Sequence, residues 1–221
     1  MPSEIPWENV GPEHRVKRSR AGMLVDLRRC VGCHACSVAC KTEHDVPLGD
    51  FRMRVRYHER PDADTIAFVP MLCMHCEDAP CLEACPTEAI ARLEDGRVVI
   101  DKERCTGNKA CQSACPYGAI YIDAETNVAE KCDFCTHRTE VGLDPSCVTA
   151  CPTSALLFGD LDDEADPVAK AAAAHGARPF KEEAGTRPTV LYVSHERFME
   201  EKANVGVQLS KDDDDIVYEQ R

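Results

Sequence analysis

Fifteen cysteines crowd between Cys30 and Cys151, and they fall into four boxes with four slots each. The first box is Cys30, Cys33, Cys36 and Cys40; the second is Cys73, Cys76, Cys81 and Cys85; the fourth is Cys132, Cys135, Cys147 and Cys151. The third reads Cys105, Cys111 and Cys115, with Asn108 where the pattern asks for a thiol. Disulfide frameworks spread their cysteines over a fold and use an even number, so CxxC-type clustering with an odd count points to metal or iron–sulfur ligation. The need for such a device is real: aromatic residues make up only 5% of the 221 residues, which leaves a thin apolar core.

The spacing narrows the metal. C-x2-C-x2-C lets one loop wrap three corners of an iron–sulfur cube, with a fourth cysteine further on, before proline. The first box has this ferredoxin spacing, with Lys41 in place of the proline. The second and fourth boxes carry insertions before the third cysteine and end in Cys-Pro. Structural zinc with four thiolates usually pairs two CxxC knuckles and has little use for a C-x3-C-P ending. A zinc-stapled interaction protein is therefore the weaker alternative. His34, His75 and His137 flank the boxes and are expected to pack or tune rather than ligate. Lys131 and Arg138 could offset cluster charge or be ordinary surface charges. Tyr117 and Tyr121 are expected to pack rather than relay electrons.

An internal repeat runs through the boxes. Cys85-Pro86-Thr87-Glu88-Ala89-Ile90, Cys115-Pro116-Tyr117-Gly118-Ala119-Ile120 and Cys151-Pro152-Thr153-Ser154-Ala155-Leu156 share Cys-Pro-x-x-Ala-Ile/Leu. Each follows a short Ala-containing segment, and strand-like runs at residues 97–101 and 120–123 come after two of them. Elsewhere, residues 23–30 predict a strand leading into the first box, and a helix follows around residues 36–41. Residues 51–59 alternate Arg52, Arg54, Arg56 with Met53, Val55, Tyr57, the period of a half-buried strand, and should pair with residues 65–73 in a hairpin. Residues 160–176 carry Pro167 in the first turn and end at Gly176, which predicts a helix, and residues 189–193 predict another strand.

Thirty-nine acidic against 26 basic residues give a formal net charge of −13, which disfavours nonspecific nucleic-acid binding. No run approaches 18 apolar residues, so no bilayer-spanning helix is expected and the protein should be soluble. The first 22 residues lack an apolar h-region and do not read as a secretory signal. They read as a disordered tail or as an arm docking through Trp7, and the acidic residues 211–215 as a solvated end. No phosphate loop, dinucleotide fingerprint or Ser/His/Asp constellation is present, so the protein is expected to be noncatalytic.

Four boxes in this order, with MLCMHCEDAPCLEACPTEAI, CQSACPYGAI and KCDFCTHR, resemble the electron-transfer (beta) subunit of the dimethyl sulfoxide reductase superfamily over about residues 23–195. FGDLDD at residues 158–163 fits as well. The resemblance implies an α+β, double bacterial-ferredoxin-like fold with insertions and a C-terminal extension. It implies an N-terminal arm (1–22), one lobe from 23–60 with 124–160, a second from 61–123, and a partner-binding extension at 161–221. It also implies ligand sets that cross between boxes. Cluster 1 would take Cys30, Cys33, Cys36 and Cys151; cluster 2, Cys132, Cys135, Cys147 and Cys40; cluster 3, Cys73, Cys76, Cys81 and Cys115. Cluster 4 would take Cys105, Cys111 and Cys85, with Asn108 at the empty slot, so that three [4Fe-4S] clusters and one [3Fe-4S] cluster are expected. The implied partners are a molybdopterin catalytic subunit and a membrane quinone-reactive subunit, which would hold the protein at the membrane on a side the sequence leaves open. A hydrogenase or formate-linked complex is the alternative setting.

Overall fold

The computed structural model describes residues 16–60 and 65–194. Trp7 and the acidic stretch at 211–215 lie outside these residues. Mixed short helices and strands surround the cysteine boxes, as in a ferredoxin-like iron–sulfur domain.

Strand β1 (Ala21–Asp26) is buried along its whole length. It is central in a four-stranded sheet of order β8-β1-β10-β9, pairing antiparallel with β8 (Leu156–Asp160) and parallel with β10 (Val190–Val193). A central strand covered on both faces needs apolar residues in both registers. Met23 and Val25 accordingly enter the main core, while Leu24 joins Val168 and Val193 in a small second cluster. That second cluster is the underside of helix α6 (Pro167–Ala174). Strand β9 (Arg178–Pro179) closes the far edge of the sheet against β10.

Helix α6 is shorter than the predicted span of residues 160–176. Asp160 is the last residue of β8, and the helix is capped at Asp166, whose Oδ1 accepts the Val168 N–H at 2.8 Å while Oδ2 accepts the Asp160 N–H at 2.9 Å. The cap, followed by Pro167 at the first turn, sets the start. Strand β8 itself was not among the sequence expectations.

Strands β2 (Arg54–Arg60) and β3 (Thr65–Met71) form the expected antiparallel hairpin, Arg54 opposite Met71 and Arg60 opposite Thr65. The alternation behaves differently at two residues. Tyr57 is exposed, stacked against His34, and Arg52 is buried beneath the first helix. That helix, α1 (Ala35–His44), carries Cys36 and Cys40 on its buried side. The remaining units are small. Helix α2 (Pro80–Glu83) precedes the hairpin of β4 (Ile90–Arg92) and β5 (Val98–Ile100). Helix α3 (Ala110–Ala114) precedes the hairpin of β6 (Tyr121–Ile122) and β7 (Ala129–Glu130). Two further single turns, α4 (Thr136–Thr139) and α5 (Ser146–Thr149), carry the fourth box.

Both ends of the described residues are tied in. Asp160 accepts the backbone N–H of Ser19 at 2.6 Å and of Arg20 at 3.0 Å, and Arg20 pairs with Glu77 at 2.9 Å. Further on, the backbone N–H groups of Glu77 and Asp78 donate to the Arg187 and Thr186 carbonyls at 2.9 and 3.0 Å. The stretch before β10 thus walls the second box.

Candidate iron–sulfur sites

The three Cys-Pro repeats fold alike. The N–H of the residue three beyond each cysteine (Glu88, Gly118, Ser154) donates back to that cysteine's carbonyl at 3.2 Å. All three residues are left-handed, with φ of 49°, 58° and 49°. Gly118 adopts this freely, while Glu88 and Ser154 hold it at a cost of order 1 kcal/mol. The turn aims the next N–H at sulfur: Ala89 N lies 3.3 Å from Cys85 Sγ, and Ala155 N lies 3.2 Å from Cys151 Sγ. Thr87 and Thr153 add hydroxyl contacts at 3.6 and 3.7 Å. Burial works against ionisation of Cys85 and Cys151, yet these donors outweigh it and leave both thiols below their ordinary pKa.

Thiols from distant boxes meet. Cys30, Cys33, Cys36 and Cys151 line one cleft with Val55, Pro70 and Thr153. Cys85, Cys105 and Cys111 line another together with Asn108, Thr87 and Gly107. The Asn108 side chain is exposed, and its Oδ1 accepts the Ala110 N–H at 2.9 Å. Within the second box, burial pushes Cys76 up to about 11 and Cys81 up to about 12; Cys73 and Cys115 raise both further. Around the fourth box, burial pushes Cys132 and Cys147 far up, and repulsion from Cys40 adds to both. Cys40 rises to about 12, first through burial and then through Cys135. Repulsion from Cys36 of the first cleft also raises Cys147.

Buried thiols held this high stay protonated when free, so a soft metal that replaces those protons is the partner such pockets suit. The donor set fits iron–sulfur ligation: thiols converge in groups, most of them buried or half-buried, and N–H groups point at sulfur. Phe134 N lies 3.4 Å from Cys132 Sγ and Ala129 N lies 3.4 Å from Cys105 Sγ, adding to the donors of the Cys-Pro turns.

A model of the 4Fe-4S dicluster domain matches residues 65–161. A tetrathionate reductase subunit of Salmonella typhimurium is 42% identical over 182 residues, covering 80% of this protein and 73% of the relative. A polysulfide reductase subunit of Wolinella succinogenes is 38% identical over 182 residues, covering 80% and 95%. The arsenate respiratory reductase iron–sulfur subunit of Shewanella sp. is 34% identical over 225 residues, covering 79% and 96%. The protein belongs to the iron–sulfur electron-transfer subunits of the dimethyl sulfoxide reductase family. Iron–sulfur binding follows from that membership, and the zinc-stapled alternative falls.

Within this electron-transfer subunit the flanking histidines have other work. His75 is fully buried; its Nδ1 accepts the Val98 N–H at 3.0 Å, and its ring stacks on Phe134 at 3.8 Å, joining the second box to the fourth. His34 stacks on Tyr57, and His137 pairs with Glu43 at 2.7 Å. Tyr117 is buried with its hydroxyl 2.6 Å from Thr186 Oγ1. Arg138 pairs with Glu43 at 3.2 Å.

His44 was missed. Its Nε2 lies 3.1 Å from Cys135 Sγ, across 91 residues of sequence. His44, Asp133 and Cys135 together present three possible metal-ligand atoms, but the Arg52 guanidinium lies 3.0 Å from His44 Nδ1 and 3.7 Å from Asp133 Oδ1. A cation there would face that charge, so His44 is better placed as a hydrogen-bonding neighbour of the Cys135 sulfur. No spacing rule could have found it, since the contact depends on where helix α1 ends against the fourth box.

Proposed function

We propose that this protein holds three [4Fe-4S] clusters and one [3Fe-4S] cluster in two ferredoxin-like lobes. In this role it relays single electrons between a molybdopterin catalytic subunit and a membrane quinone-reactive subunit of a respiratory complex. The relatives named for tetrathionate, polysulfide and arsenate reduction support a sulfur- or arsenic-type substrate for that complex. The observation that carries this reading is that thiols far apart in sequence line common clefts, Cys151 with Cys30, Cys33 and Cys36, and Cys85 with Cys105 and Cys111.

The ligand sets are Cys30, Cys33, Cys36 and Cys151; Cys132, Cys135, Cys147 and Cys40; Cys73, Cys76, Cys81 and Cys115; and Cys105, Cys111 and Cys85 beside Asn108. Bound iron–sulfur clusters supply one-electron redox centres. The protein's own residues bring thiolates together and donate N–H groups to their sulfurs. Asn108 supports the three-iron assignment because it offers no thiolate and its Oδ1 is engaged by the Ala110 N–H.

The lobes would be residues 23–60 with 124–160, and residues 61–123. The arm at 1–22 and the extension at 161–221 would reach the partners beyond the parts that complete the sheet. No helix among the described residues is long and apolar enough to cross a membrane, which suits attachment through a partner. Purification of the intact complex tests this reading. Molybdenum should accompany the iron, and oxidised samples should show the near-isotropic EPR signal of a three-iron centre. Nickel in place of molybdenum would favour a hydrogenase-type setting.

A further inference from the structure

Among the described residues, three cationic side chains are deeply buried: Arg52 is 7% exposed, Arg97 6% and Lys131 3%. Two have carboxylate partners. Arg52 pairs with Glu130, with Asp133 at 3.7 Å, and Arg97 pairs with Asp95 at 2.7 Å and Glu140 at 3.6 Å. Lys131 differs. Its Nζ donates to the Val98 carbonyl and to the Cys132 carbonyl at 3.0 Å. Among the described residues no carboxylate lies within ion-pair distance of it. An ammonium in a dry interior without an anion costs several kcal/mol, so the fold should supply negative charge there by other means.

The position of Lys131 identifies the source. It directly precedes Cys132 in sequence, and it reaches across to β5, the strand whose Val98 N–H holds His75 of the second box. Its charge bears on Cys81 as well, favouring the thiolate there. The ammonium is thus held at the Cys132 carbonyl on one side and at β5, whose Val98 N–H holds His75 beside Cys76, on the other.

We propose that Lys131 is the shared counter-charge of the Cys73/Cys76/Cys81/Cys115 set and the Cys40/Cys132/Cys135/Cys147 set and holds the reduction potentials of both centres up. A fixed positive charge stabilises the reduced, more negative state of each nearby centre, and a dry setting screens it weakly. The inference rests on the ligand sets proposed above, and it assigns Lys131 a tuning role on both.

The test is an anaerobic, EPR-monitored redox titration of the cluster-loaded protein with Lys131 intact and as Lys131→Gln and Lys131→Arg. Lys131→Gln should lower the potentials of two centres by at least a tenfold shift in their reduction equilibria, about 59 mV for a one-electron couple. The other two centres should move by much less, and Lys131→Arg should stay near the unsubstituted values. Unchanged potentials in Lys131→Gln, or an equal shift of all centres, would overturn the proposal. Should Lys131→Gln fail to load, Lys131→Arg decides: restored iron content and potentials support the counter-charge, and failure like that of the Gln variant refutes it. An unsubstituted protein with fewer than four reducible centres would instead overturn the ligand sets, whatever Lys131 does.

Discussion

Asn108→Cys places a thiol three residues after Cys105 and three before Cys111, the spacing that the first box repeats. The substitution removes one hydrogen bond, from the Ala110 N–H to Oδ1 at 2.9 Å. Such a bond nets about 0.5–1.5 kcal/mol, and here water can replace it because residue 108 is exposed. The loop should therefore keep its shape, with a loss of about 1 kcal/mol or less, while the site gains the missing ligand. Iron analysis of the anaerobically purified variant should rise by one iron per protein molecule. The near-isotropic signal of the oxidised protein should disappear, and the potential of that centre should fall, since a thiolate adds negative charge where a neutral amide stood. Asn108→Ala serves as the control and should keep both the signal and the iron content. If Asn108→Cys leaves iron and signal unchanged, or if the unsubstituted protein lacks the signal, the three-iron assignment is wrong.

Arg52→Met strips the buried Glu130 of its main partner and leaves only the exposed Lys102. Removing one partner of a buried pair costs about 3 kcal/mol, so the melting temperature of the loaded protein should drop by roughly 6–12 °C; an unchanged melt would refute the pairing's weight. Gly32→Ala introduces a Cβ that overlaps the Phe68 ring at φ +69°, and should cost the iron of the centre proposed at Cys30, Cys33, Cys36 and Cys151. Gly49→Ala, at φ +92° with nothing within 4 Å, should keep its iron, and equal iron in both variants would contradict the steric argument. At Asp160 burial opposes the charge, but the N–H groups of Ser19, Asp162 and Arg20 outweigh it and depress the pKa. Its contribution is thus fully present above the ordinary carboxylate value and is lost only as pH falls below about 4. Asp160→Asn should speed tryptic cleavage at Arg18 and Arg20 at pH 7 by roughly tenfold or more, while the unsubstituted protein should resist cleavage equally at pH 7 and pH 5.

Local chemistry was legible in the sequence wherever it depends on near neighbours. The cysteine spacing pointed to iron–sulfur ligation, and the Cys-Pro-x-x-Ala repeat proved to be one turn used three times, with the residue three beyond each cysteine left-handed. The β2–β3 hairpin follows from alternation, and a helix with Pro167 in its first turn was legible, although it starts at the Asp166 cap and not at residue 160. Strand β8 escaped because LLFGD has neither clean alternation nor length, and its strand character comes from pairing with β1.

The sequence by itself determined the ligand chemistry and the odd slot at Asn108, because thiol type and spacing act over a few residues. The crossed grouping of the boxes came from family likeness rather than from spacing. Only the tertiary structure decided which charges are interior. Arg52 and Lys131 read as one alternating strand residue and one ambiguous charge, yet both are buried, Arg52 with carboxylates and Lys131 without. It also set His44 against Cys135 and laid β10 parallel to β1 at the centre of the sheet. Burial and charge pairing depend on residues far apart in sequence, 78 positions for Arg52 and Glu130, and a one-dimensional pattern records a charge without recording what surrounds it.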